Sequence, residues 1–422
     1  MTLSAYDARS PAEHDILAVL PGRVDDLARL RLLTRAAQPP TVTVVGKYNH
    51  GKSRLLNELL GSDAFAVSDR RETTVLAEQV VDGVRWLDAP GLDADVDSED
   101  DRHALQAAWL ESDVRLFVHA AKEGELDAAE RSLLDTLGAD GERTHRQTLL
   151  VLSQVDQLAD AASAEQVASA IGAQAPHMPL HAVSSTRHRQ GVKGGKALLV
   201  EHSGLPALRA SLQTVLARVP QARTHEAALL RGEIGAELAQ RRAEGEERLG
   251  ALRREQATQR LAFDAGLNAV LDKVGGDMRA YLETPSEGQA LVPDGAGDAY
   301  RITAGKVERS RNQIAYSRAC IEIDAFLAGH GVIGLPADRH TPARSLNTVM
   351  VAVMGVSVKH REHLRRIFCE PAGRERLLRE FTQYYEQSDD RAALARRIAE
   401  AQTEVAGARR ALAALRTLGA PA

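Results

Sequence analysis

The chain has 422 residues, enough for two or three domains with separate cores, and its formal net charge of -5 gives no general attraction to nucleic acid. With 44% apolar and 26% charged residues most of it is expected to be ordered, and 4% aromatic residues means cores built mainly from Leu, Val, Ile and Ala. Two cysteines, Cys320 and Cys369, exclude a disulfide scaffold and make an intracellular location the default; Met1 to Asp15 shows no secretory signal, and no stretch reaches about eighteen clean apolar residues.

Residues 11–37 carry a helical pattern in Ile16, Leu17, Leu20, Val24, Leu27, Leu30 and Leu33. Pro21-Gly22 splits it and Pro39-Pro40 ends it. A helical segment here needs a surface to pack on, and the helices at the far end of the chain are the expected one.

From Thr41 the period changes. Strands are expected at 41–45, 75–81, 84–87, 114–119, 148–152 and 179–183, and helices at 52–60, 102–110, 127–137, 163–172 and 204–218. Such alternation predicts an α/β domain over 38–219, a mostly parallel sheet with helices on both faces, binding its ligand at the carboxyl edge of the strands.

The segment Gly46-Lys47-Tyr48-Asn49-His50-Gly51-Lys52-Ser53, between the first strand and the next helix, is a complete phosphate-binding loop. Its backbone N–H groups are expected to wrap the β-phosphate, Lys52 to span the β- and γ-phosphates, and Ser53 to offer its hydroxyl to Mg²⁺. Arg54 points away from the first helical turn. His50 reads as an outward loop residue.

Asp88 closes the third strand, where it can hold Mg²⁺ through water, and Gly91 can present its N–H to the γ-phosphate. Between these motifs Thr73 or Thr74, with Thr74 favoured, can bind Mg²⁺ and read the γ-phosphate. Asp156, after the strand ending near Leu152, can accept two hydrogen bonds from guanine, a donor pair adenine lacks. Ser184 and Ser185 can brace the base through backbone N–H groups. His181 reads as a packed strand residue, His188 as lying beside the base pocket, and the two cysteines as plain buried or half-buried thiols.

After Pro220 the composition turns helical. Residues 222–282 place Leu230, Ile234 and Leu238 on one face, but Gly245, Gly250, Gly266 and Gly275-Gly276 predict two helices or a bend. A polar loop follows at 285–297, a helix at 304–328, and an Ala-, Arg- and Leu-rich helical stretch at 373–417. The apolar segment 326–358 reads as a buried helical hairpin, with a membrane-touching tip as the alternative, and the basic residues Lys359, His360, Arg361, His363, Arg365 and Arg366 follow it. The domain scheme is therefore 1–37 helical, 38–219 α/β, and 220–422 an all-α bundle that the N-terminal helices join.

Taken in order, Gly46–Ser53, Thr73-Thr74, Asp88–Gly91, Ser153–Asp156 and Ser184-Ser185 resemble the guanine-nucleotide motifs of translation-factor-class GTPases. The longer run Gly46–Gly61, with Tyr48, Asn49, Asn57 and Gly61, is similar to the phosphate loop and following helix of bacterial dynamin-like proteins. That resemblance implies a P-loop GTPase head binding GTP or GDP with Mg²⁺, a helical stalk, a nucleotide-dependent homodimer, and membrane binding or remodelling; the basic cluster at 359–366 suits an anionic membrane surface, and a protein partner for the helical part is the alternative. The Asn49 position is shared with era-like GTPases, where it helps coordinate K⁺, so Asn49 is a candidate cation ligand. Two departures stand out. Gln154 replaces the family lysine that covers the base, which predicts weaker nucleotide binding or compensation from residues 184–188. Leu92 follows Gly91 where some GTPases orient water with Gln, which predicts slow hydrolysis as a monomer. An era-like GTPase acting on ribosome or RNA assembly is the first alternative, but nucleic acid is not the expected partner because no basic RNA-binding module follows residue 219. A GTP-binding switch or scaffold acting on a protein partner is the second.

Overall fold

The computed structural model describes residues 9–35, 38–66, 77–89, 109–333 and 360–418. The chain packs as two units, one of Met1–Ala239 with Ala408–Ala422 and one of Gln240–Gly407.

The first unit is built on six strands: β1 (Thr41–Val45), β2 (Ala77–Val81), β3 (Val84–Asp88), β4 (Val114–Ala120), β5 (Gln147–Ser153) and β6 (Leu180–Ala182). Their order is β2-β3-β1-β4-β5-β6, and all neighbours are parallel except β2 and β3. Asp82 and Gly83, both at positive φ, turn that one antiparallel hairpin. β1 is buried along its whole length because helices cover both sheet faces, which is why it reads as an unbroken β-branched run. On one face Val42, Val44, Leu116, Val118, Leu149 and Val151 meet Leu55 and Leu56 of helix Lys52–Leu60 and Leu205, Leu208 and Leu212 of a helix starting at Leu205. On the other, Val45, Phe117, Leu150 and Leu152 meet Leu134 and Leu137 of helix Ala128–Thr144 and Ile171 of helix Ala161–Gln174. The chain leaves β1 toward β3 on one side and β4 on the other, which opens the ligand crevice of such sheets at the β1 carboxyl end.

Helices Pro11–Leu17 and Val24–Thr34 flank the Pro21–Arg23 turn, so the proline-glycine split falls where the sequence predicts it. Ser10 and Glu13 form a capping box at the start of the first. Ile16, Leu20 and Leu27 close on Ile234, Leu238, Ala411, Ala414 and Leu415.

A buried ionic cluster underlies this unit at the amino-terminal end of β1 and β4. Asp113 accepts from Arg29 Nη2 at 3.1 Å, from Arg223 Nε at 3.0 Å and from the Thr41 N–H at 2.8 Å. Arg29 also grips Glu226 at 3.0 and 2.8 Å, and Arg146 reaches Glu226 at 3.3 Å and Asp140 at 3.1 Å. Burial pushes the Asp113 carboxyl up, but the Arg223 hydrogen bond and the two arginine charges outweigh it and hold the group below the usual carboxylate range.

Pro220 does not end a helix. Helix Leu205–Glu283 runs through it as one element of 79 residues, carrying residues of both units, where the sequence predicts a domain boundary at 219 and two helices or a bend over 222–282. An interior proline costs about 3 kcal/mol. Here Val215 and Val219 before it are buried on the sheet and Arg223, Glu226 and Leu230 after it are anchored, which fixes the helix on both sides. None of these glycines breaks the helix, and two of them are points of close approach. A Cβ on Gly245 would sit 3.0 Å from Val405 Cγ2, and one on Gly266 would sit 2.5 Å from Phe326 Cε2.

In the second unit the core joins Phe263, Leu267, Leu271, Val274 and Met278 of that helix to Ile323 and Leu327 of helix Ala304–Gly329 and to Leu377, Phe381 and Tyr384 of helix Pro371–Glu386. Leu252 packs separately on Leu394, Ile398 and Ala401 of helix Asp389–Thr417. Cys320 is buried and Cys369 half-buried in the larger core. Of the apolar segment 326–358, residues 326–333 are described, and Leu327 and Val332 are buried in this core; the remainder lies outside the described residues. Among the described residues no helix is long and apolar enough to cross a membrane.

Gly266→Ala is expected to lower unfolding free energy by about 1 kcal/mol or more, because overpacking outweighs the helix-propensity gain, whereas Gly276→Ala, which meets nothing within 4 Å, should gain about 0.5–1 kcal/mol in urea titrations. Because the Asp113 pKa is depressed on folding, its contribution is fully present above the unfolded value of about 3.9 and is lost as pH falls through the lower folded value. Urea midpoints should therefore drop steeply below about pH 4, and Asp113→Asn should cost about 3–5 kcal/mol at neutral pH while flattening that acid limb.

Candidate nucleotide site

The loop between β1 and helix Lys52–Leu60 closes against β4. Gly46 has φ 152°, and a Cβ there would lie 2.2 Å from the Val118 carbonyl oxygen, so no other residue fits the turn. Asn49 and Gly51 follow at φ 57° and 80°. The result is a ring of backbone at the sheet's carboxyl edge with a helix amino-terminus aimed through it, the arrangement that binds phosphate.

The buried Lys52 ammonium donates to the Gly46 and Lys47 carbonyls at 2.9 Å each, which holds it over the loop. Ser53 Oγ donates to Asp88 Oδ2 at 2.6 Å, so the helix start and the β3 end meet as their motifs predict. Burial lifts the Asp88 carboxyl above its usual range, against the Ser53 hydrogen bond and the Lys52 charge. Asp88 Oδ1 is buried with no partner among the described residues. A hard divalent cation, or its water, beside Ser53 and Asp88 would satisfy that oxygen, so the donor set fits Mg²⁺. Thr73, Thr74, Gly91 and Leu92 lie outside the described residues.

The side chains around the loop tie it to the rest of the sheet. Ser153 Oγ, at the β5 end, donates to the His50 carbonyl at 2.6 Å. Gln154, at φ 57°, donates from Nε2 to the Asn49 carbonyl at 2.7 Å. Where the sequence shows only the loss of a lysine, the geometry gives Gln154 a clamp on the phosphate loop. Lys47 is ion-paired with Asp127, and Asn57 closes the following turn by bonding both the N–H and carbonyl of Phe65 at 2.8 Å. Arg54 is exposed and Tyr48 half-buried.

On the base side Ser184 Oγ donates to Asp156 Oδ1 at 2.6 Å and accepts from the Arg187 N–H at 2.9 Å. Ser184 thus caps helix Ser185–Lys193 and orients the carboxylate. Its own N–H is donated to the Ser203 carbonyl at 2.8 Å, so the expected brace through Ser184 N–H gives way to this side-chain role. Ser185 is buried in the first turn of that helix.

Two histidines differ from expectation. His50 is buried, not outward: its ring lies 5.1 Å edge-on from that of His119, and Nδ1 is 3.2 Å from the Val118 carbonyl. Desolvation, with His119 as a second cause, lowers its pKa to about 4. His188, expected beside the base pocket, is buried and bonds Glu58 at 2.6 Å within the packing of helix Lys52–Leu60. His181 sits half-buried in β6. His119 and Glu130 escaped the sequence reading because the three residues approach only once β4 and helix Ala128–Thr144 pack on the loop.

Residues 41–154 match the family model described as 50S ribosome-binding GTPase. The chain is 35% identical to the GTPase Der of Streptococcus mutans over 127 residues, 28% of this chain and 27% of Der, so it spans only about a quarter of that protein's length. Era of Aquifex aeolicus, crystallised with GDP and aluminium fluoride, shares 22% identity over 42% of this chain and 56% of its own, with a TM-score of 0.32. An uncharacterized protein of Acinetobacter baylyi is 48% identical over 403 residues, 96% of each chain. Through that end-to-end match the chain belongs to the family of the Acinetobacter protein, and with its phosphate loop inside the matched 41–154 domain it is a GTP-binding P-loop GTPase.

Proposed function

We propose that this GTPase converts its nucleotide state into a rearrangement of its helical region, in the manner of dynamin-like proteins. The observation that carries the reading is helix Leu205–Glu283: its first turns are part of the sheet core through Leu205, Leu208 and Leu212, and the same unbroken helix continues to Glu283. A shift of the strand ends that carry Asp88 and the phosphate loop acts on an element already rooted in the domain.

At the site, Lys52 and the loop N–H groups hold the phosphates and oppose the charge developing on the β–γ bridge. Ser53 and Asp88 would hold Mg²⁺, which would supply charge neutralisation for the transferring phosphoryl group. Asp156, oriented by Ser184, selects guanine. Asn49, exposed on the loop, supplies a ligand for K⁺, and a second copy of the chain supplies what the apolar Leu92 withholds in orienting water. Thr74, or Thr73, and Gly91 read the γ-phosphate.

A second reading, action on a ribosomal particle, is favoured by the family match over 41–154. The two readings part in one experiment: GTP turnover against protein concentration in K⁺ and Na⁺, with anionic liposomes or with 50S subunits, beside Lys52→Ala. A rate per molecule rising with concentration and liposomes, and lost in the variant, supports the first reading. Stimulation by 50S subunits alone, collapsing with added salt, replaces it with the second. A flat rate throughout removes self-activation.

Gln154→Ala, which deletes the bond to the Asn49 carbonyl, should weaken GDP and ATP alike by roughly 2- to 10-fold, the worth of one hydrogen bond of about 0.5–1.5 kcal/mol. Asp156→Ala should instead collapse the preference for GTP over ATP. Fluorescent-nucleotide titrations of both variants check the division of labour between clamp and base reader.

A further inference from the structure

Behind the phosphate loop, His50, His119 and Glu130 bring three ligand atoms within 4.8 Å of one another, and all three residues are at most 4% exposed. They come from three different elements: the loop itself, β4, and the first turn of helix Ala128–Thr144. The nucleotide site uses none of their side chains.

The hydrogen bonds around His119 define what this pocket asks for. Its Nε2 lies 3.1 Å from the Gly124 carbonyl, which can only accept, so Nε2 carries a proton. Its Nδ1 lies 2.9 Å from Glu130 Oε1, a second acceptor. In the neutral ring Nδ1 then presents a lone pair to a carboxylate oxygen, and a cation must stand between them. The other Glu130 oxygen, Oε2, is engaged by the Asp127 N–H at 3.2 Å, leaving Oε1 turned to the histidines. His50 Nδ1 is 3.8 Å from that same Oε1.

Two cations meet the requirement: a second proton on His119, or a metal. Ligand atoms about 2.0–2.2 Å from a tetrahedral zinc stand roughly 3.3–3.6 Å apart, and the 2.9 and 3.8 Å separations bracket that span. The Nε2–H to backbone carbonyl bond is also the outer contact that fixes a metal-binding imidazole in its tautomer. We propose that His50, His119 and Glu130 bind one borderline divalent ion of the zinc class, tying the phosphate loop to β4 and to helix Ala128–Thr144. Binding moves the His50 proton from Nδ1, now facing the Val118 carbonyl at 3.2 Å, to Nε2. Because His50 lies inside the loop and Ser153 holds its carbonyl, metal and nucleotide affinities are linked in both directions.

The test uses the full-length chain, freed of nucleotide and treated with chelator. Co²⁺ titration should give one equivalent with visible ligand-field absorption, displaced by one equivalent of Zn²⁺, and Zn²⁺ should raise Tm. Glu130→Gln and His50→Asn should lose affinity by more than the roughly 10- to 100-fold that outer contacts are worth, while Ser53→Ala, which removes one Mg²⁺ ligand and its bond to Asp88, should keep the Co²⁺ spectrum and stoichiometry. Should the Glu130 variant fail to fold, wild-type stoichiometry and His50→Asn still decide. Absence of stoichiometric binding to wild type, or a Co²⁺ signal unchanged in His50→Asn, overturns the site and leaves His119 simply hydrogen-bonded to Glu130.

Discussion

One carboxylate organises the first unit. Asp113 is buried at the start of β4, and its two oxygens receive the first N–H of β1, the guanidinium of Arg29 from the N-terminal helices and that of Arg223 from the long helix. A buried charge is tolerated only when paired and hydrogen-bonded on all sides. The requirement works in reverse as a specification, because the three donors must converge for the carboxylate to stay ionised. That convergence fixes where β1 begins, and the length of β1 fixes where the phosphate loop begins.

At the opposite end of β1 the constraint is steric. Gly46 rests on the Val118 carbonyl with no space for a Cβ, and the loop it opens is held by Gln154 and Ser153 from β5 and by Lys47 against Asp127. These contacts come from β4, from the end of β5 with the residue after it, and from the residue capping helix Ala128–Thr144, so the geometry of the phosphate site depends on those elements being in register. The cluster of His50, His119 and Glu130 belongs to the same system, since the element that carries Glu130 also carries the capping box at Asp127.

Helix Leu205–Glu283 connects the sheet core to the ionic cluster. It contributes to the sheet core, supplies Arg223 and Glu226 to the ionic cluster, and then provides the glycine positions at which Val405 and Phe326 approach closely. Propensity alone would break it at Pro220 and soften it at its glycines. Burial of the residues on either side offsets that cost, and small residues become the places where neighbouring side chains reach the helix backbone.

The sequence alone determined that the chain carries a GTP-binding phosphate-loop domain. A phosphate loop is a local device, and Gly46 to Ser53 between a β-branched run and an amphipathic helix can fold in few other ways; the strand positions, the Pro21-Gly22 split and the meeting of Ser53 with Asp88 followed from short-range pattern and spacing. What only tertiary structure decided were features whose energy comes from distant partners. Pro220 and the glycines read as breaks because their helix-stabilising neighbours are far away in the chain. Gln154 read as a lost lysine because its acceptor, the Asn49 carbonyl, is brought to it by the parallel alignment of β1, β4 and β5. His50 read as a loop residue because nothing nearby in sequence shows that His119 and Glu130 will bury it. Local pattern reports backbone preference and motif chemistry, whereas pairing across the sheet depends on which buried groups must satisfy one another.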